Sequence, residues 1–126
     1  MFTLRIVLPA ILAVAAAVRP AYAHHSYANY LENQTVTMEG TVETVRFANP
    51  HVLLTMRTDA SELYTIEWQN LVQLRHGKVG PETLKSGDRI IVKASPARDP
   101  SSHMLSLVRE MQRPADGWLW RRTTRQ

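Results

Sequence analysis

Between Thr35 and Phe47 the chain alternates polar and apolar residues and changes phase once. Val36, Met38, Gly40 and Val42 are spaced by two, with Thr35, Thr37, Glu39 and Thr41 between them; Val45 and Phe47 then continue on odd numbers. A period of two marks a strand with one buried face. A slip of phase inside an unbroken strand requires one extra residue, a bulge, near Glu43-Thr44. Gly40 permits a sharp bend. A long, bent, bulged first strand is what a small closed barrel needs, and it constrains how the rest of the chain can pack.

The remaining pattern completes such a barrel. After the Asn49-Pro50 turn, residues 51–58 read as a second strand with Val52, Leu54 and Met56 on one face. Asp59-Ala60-Ser61 is a hairpin loop, and residues 63–69 form a third strand. Tyr64, Ile66 and Trp68 share its core face, which puts Glu67 on the opposite one. Asn70 caps a short helix through Leu71 and Leu74, ended by Gly77. Residues 89–94 and 104–112 are strands four and five, the latter with Leu105, Leu107 and Met111 as core. Three strands, a helix and two strands is the element order of an OB barrel. The predicted fold is therefore all-β: a small five-stranded OB-like barrel over residues 35–113, with one short helix between strands 3 and 4.

Residues 24–34 read as an extended arm, and residues 114–126 as a basic tail carrying Trp118 and Trp120. Ahead of the arm, residues 1–23 have the form of a secretory signal peptide. Arg5 precedes an uncharged run of 13 residues, and Ala21-Tyr22-Ala23 has the small-x-small pattern of a cleavage site. The run is shorter than the roughly 20 residues a membrane-spanning helix needs. The expected working protein is thus periplasmic or secreted, with no transmembrane segment. Losing Arg5 and Arg19 lowers the formal charge from +4 to +2, which gives no reason to expect a nucleic-acid partner. With no cysteine there is neither a disulfide nor a lipoprotein anchor.

Several short motifs occur together. His24-His25-Ser26-Tyr27 opens the mature chain, followed by Thr37-Met38-Glu39-Gly40-Thr41-Val42, Asn49-Pro50-His51, Leu84-Lys85-Ser86-Gly87-Asp88 and Pro96-Ala97-Arg98-Asp99. In this order they resemble a family of short exported bacterial proteins catalogued as a domain of unknown function, number 6152. The resemblance implies an exported β-rich domain and carries no activity.

Histidine is the main chemical resource. Cleavage after Ala23 makes His24 the first residue, so its α-amino group and imidazole can chelate one ion, with a further imidazole completing a three-nitrogen set. Such ligation suits copper, and zinc less well. His51 follows the rigid Asn-Pro turn and is the scaffold-borne candidate; His25 and His103 are the other candidate ligands. The plainer alternative is an arm with two idle histidines and a His51 that bonds a turn carbonyl. His76 suits the end of a helix, where a cation meets the dipole. Arg98-Asp99 reads as a loop ion pair. No nucleophile elbow or cysteine supports catalysis, so an enzyme is not expected. The expectation is an exported copper-type metal-binding protein. The alternative is a metal-free binding or accessory module for an exported protein or an oligosaccharide.

Overall fold

The computed structural model describes residues 27–124; the signal segment, His24 and His25 lie outside the described residues. Six strands and one helix follow in order: β1 (Val36–Arg46), β2 (Leu53–Thr58), β3 (Leu63–Glu67), α1 (Leu71–His76), β4 (Arg89–Pro96), β5 (Met104–Arg113) and β6 (Trp118–Arg121). Antiparallel pairing runs β3-β2-β1-β4-β5-β6, and a parallel pairing of β3 with β5 closes the first five strands into a barrel. The OB-like architecture expected from the element order is the one observed.

The first strand behaves as its alternation requires. Its early half pairs with β4 and its later half with β2. Register passes from Val42↔Met56 to Thr44↔Thr55, so Glu43 is the bulge. The extra residue moves the inward side from even to odd numbers, and Val45 and Phe47 accordingly pack against the core. Gly40 is the point where β2 crowds β1. A Cβ there would meet the Arg57 carbonyl oxygen and lie 2.8 Å from Met56 Cγ.

The motif residues have structural roles. Asn70 Oδ1 accepts from Gln73 N at 2.9 Å and Asn49 Oδ1 from Leu71 N at 3.1 Å, so two asparagines satisfy amides that the first turn of α1 leaves unpaired. Gly87 adopts φ +95, and its N–H and the Asp88 carbonyl bond Val42 on β1. Leu84 beside that turn is buried, as are Leu74 and Val79, and all three join the barrel core with Leu54, Met56, Ile66, Ile90, Val92, Leu105 and Met111.

Four expectations need correction. Leu107 is only partly buried and Val108 takes the inward place. Between Lys93↔Glu110 and Ser95↔Ser106, β4 supplies one residue where β5 supplies three, and Leu107 absorbs the kink at φ +51. Residues 118–121 are not part of a tail but form β6, paired with β5, which buries Trp120 to 6 % exposure against 4 % for Trp68. Their rings meet edge to face, 5.1 Å apart. The described part of the arm is not extended. It folds through two turns, pairs Tyr30 with Ala97, and is held by Arg109 Nη2 on the Glu32 carbonyl at 2.7 Å and Ser95 Oγ on the Gln34 carbonyl at 3.0 Å. Finally, Arg98 and Asp99 do not pair. Arg98 Nε donates to the Ala28 carbonyl at 2.8 Å, and Asp99 caps the short 3-10 turn Pro100–Ser102.

Candidate functional site

His51 and Glu67 stand on the outer side of the β2–β3 ladder, as alternation requires, because Val52 and Ile66 take the inner side. The ladder runs past β2 through Val52 N to Gln69 O at 3.0 Å and Trp68 N to Val52 O at 2.8 Å, which fixes the backbone on both sides of the pair. His51 Nδ1 lies 2.6 Å from Glu67 Oε1, and Tyr30 Oη donates to Glu67 Oε2 at 3.1 Å. Both oxygens of one carboxylate are thus used, one by the barrel and one by the arm. The His51 and Glu67 side chains are 26 % and 16 % exposed, so the outer face is covered here rather than open to solvent.

Electrostatics follow from this packing. Tyr30 is nearly buried, and its phenol is pushed well above its ordinary value. Burial is the main cause, since it disfavours the phenolate. The negative charge of Glu67 and the hydrogen bond donated to it add to the effect. Since Nδ1 of His51 faces a carboxylate, it carries a proton there, and Nε2 is left as the ring's second nitrogen.

A small cavity of about 40 Å³ adjoins the pair, lined by Tyr27, His51, Glu67 and Trp68 and by Ser106, Leu107 and Val108 of the β5 kink. Gln69, Gln73 and Arg122 form its outer rim and continue into a groove of about 570 Å³ between α1 and β6. His76, in the last turn of α1 as its sequence position suggests, also lines that groove, and the Gln73, Leu74 and Arg75 carbonyls accept from Gly77, Val79 and Lys78.

His103 is placed elsewhere. It ends the 3-10 turn at φ +49, stacks on Tyr64 with ring centres 4.7 Å apart, and has Nε2 3.3 Å from Glu62. The structure therefore gives His51 and His103 different carboxylates. Among the described residues no three His, Asp or Glu side chains form a group that could hold a metal. Sequence parity put Glu67 on the outer face but could not reveal that it orients His51. The missing signal was Tyr30, 37 residues away. No helix among the described residues is long and apolar enough to cross a membrane.

A family model described as a family of unknown function (DUF6152) matches residues 11–106. That span takes in the Asn-Pro-His turn, Glu67 and the Gly-Asp turn, and stops before β6. No curated protein matches the chain.

Proposed function

The chain belongs to the family of unknown function DUF6152, which assigns no activity, and from the geometry of His51 we propose that it is an exported, copper-type metal-binding protein. The observation that carries this is the His51–Glu67 pair at 2.6 Å, itself held by Tyr30. A histidine that ligates a metal through one ring nitrogen characteristically gives the other to a carboxylate, which fixes the ring. His51 has that arrangement, with Nε2 left to ligate.

The other ligands come from the amino terminus. Tyr27 lines the same cavity as His51, and His24 lies three residues before it. Three extended residues span about 10 Å, so a mature chain starting at His24 has the reach to bring its amine and imidazole to His51. Three nitrogens favour Cu(II), with zinc second. His25 is a neighbouring donor. His103, on Glu62 and Tyr64, is the weaker candidate. The role is binding or delivery rather than catalysis.

The test uses mature protein beginning at His24. It is expected to bind about one Cu(II) per chain, since one amino terminus supplies one such chelate, and to bind less tightly as pH falls, because protons compete for the same lone pairs. One residue added ahead of His24 weakens binding greatly, as does His51→Ala, while His76→Ala does not. Titration calorimetry with electron spin resonance reads both affinity and nitrogen ligation. Equal binding by the native and extended forms rules out the amino-terminal mechanism. Binding no better than that of a free dipeptide leaves the metal-free binding or accessory module, to which the α1–β6 groove lends support.

A further inference from the structure

The groove between α1 and β6 is rich in hydrogen-bond donors. Gln69, Gln73, His76, Trp120, Arg121 and Arg122 line it, and among the described residues no carboxylate does. Arg121 is drawn away by Glu110, at 2.9 Å, whereas Arg122 makes no ion pair among the described residues and is anchored through its backbone N–H on the Arg109 carbonyl. At the helix end the Gln73, Leu74 and Arg75 carbonyls accept from Gly77, Val79 and Lys78 and are not free to take a ligand's proton. Gly77 has no side chain where one would press on Trp120 Nε1, 2.8 Å from the position of a Cβ, so the indole edge reaches the groove wall.

A second observation concerns Trp68. Its Nε1 is buried and no protein group accepts from it, the only such side-chain atom among the described residues. Trp68 lines the small cavity that shares Gln69, Gln73 and Arg122 with the groove. A buried donor without an acceptor costs about 1–3 kcal/mol, and the adjoining cavity has room for one water-sized acceptor.

From these observations we infer that the groove binds a carboxylate-bearing small molecule with an apolar body. Arg122 clamps the carboxylate, the glutamine amides and the Trp120 N–H supply the remaining donors, and the Trp120 ring carries the body. The volume lies in the range of small-molecule sites, about 300–1,000 Å³. A single unpaired guanidinium with amide donors beside it matches a planar monoanion, which it can hold through two parallel bonds. The site is separate from the metal reading and does not depend on it.

Metal-free, isotope-labelled mature protein is titrated with cyclohexanecarboxylate while the indole N–H signals are followed by NMR. A saturable shift of Trp120 is expected. Cyclohexylmethanol, the same body without the charge, should bind about tenfold more weakly or worse, as the loss of a charge-assisted bond implies. Arg122→Gln should weaken the carboxylate by a similar factor, and Gln73→Glu should do so by repulsion. Arg75→Gln, on the same helix but outside the groove, should change nothing. Equal binding of acid and alcohol overturns the proposal, as does an Arg122→Gln variant that binds normally. Inorganic phosphate binding as tightly as the carboxylate overturns the assignment of class. Copper plays no part in the measurement, so a negative result here leaves the metal reading standing, and the reverse holds.

Discussion

Glu67→Gln is the most informative single change, because one carboxylate serves two donors. In the native protein Oε1 takes His51 Nδ1 at 2.6 Å and Oε2 takes Tyr30 Oη at 3.1 Å. Glutamine offers one acceptor oxygen, and its amide nitrogen then faces the second donor, so one bond is lost and two donors meet. A hydrogen bond to a charged group contributes about 1.5–3 kcal/mol. His51 is about a quarter exposed, and water replaces part of what is lost, which brings the expected cost to about 1–2 kcal/mol. For a domain of this size that is a fall in Tm of several degrees, at about 4–8 °C per kcal/mol. Urea unfolding of Glu67→Gln, Tyr30→Phe and the double variant completes a cycle, with an expected coupling above about 0.5 kcal/mol between the two positions. A Glu67→Gln variant within about 0.5 kcal/mol of the native protein, or strictly additive effects, would show that the carboxylate does not join arm to barrel. In the metal-binding reading the same variant also loses about 10- to 100-fold in copper affinity, because the ring is no longer held.

Two further predictions concern stability. Gly40→Ala should cost about 1–3 kcal/mol by overpacking, since its methyl meets the Arg57 carbonyl and Met56. Gly80→Ala, with nothing within 4 Å of the added Cβ, should be neutral or stabilise by a few tenths to about 1 kcal/mol; equal effects in urea unfolding would refute the crowding at β1. Tyr30 gives the alkaline limit. Its phenol titrates near 10 when unfolded and higher when folded. Its contribution is therefore complete below about pH 10 and is lost as pH rises from there through the folded value, by at most about 1.4 kcal/mol per pH unit. Tyr30→Phe should remove that slope, and an unchanged slope between pH 9 and 11 would refute the assignment.

Most of the barrel was legible in the sequence because alternation reports directly which residues face inward. The slip at Glu43, the face shared by Val52, Leu54 and Met56, and the Asn70 cap all follow from spacing or residue type alone. Leu107 was misplaced because the β5 kink is made by a residue with no glycine to announce it, at φ +51. Trp120 was not legible as core because four residues are too few to show a period, and the partner that buries it, Trp68, is far away in sequence. The site was legible only in part for the same reason. Parity placed His51 and Glu67 outside, but their cover comes from Tyr30 on the arm, and the groove around His76 exists only once β6 lies beside α1.

The seam between β3 and β5 also decides how the molecule behaves in a crowd. With the ring shut, a neighbouring chain in search of a strand to extend finds β6, four residues long, with Arg121 inside it and Arg122 directly after. Short, charged edges make poor templates for fibre growth. The seam itself is slight, two residue pairs, Thr65↔Met104 and Ile66↔Leu105, backed by Thr65 N on the His103 carbonyl. Were it to part, β3 would become a bare edge carrying exposed Leu63. Polymerisation of this protein would then begin from a briefly opened ring, and its rate would follow the stability of those two pairs more closely than that of the whole fold.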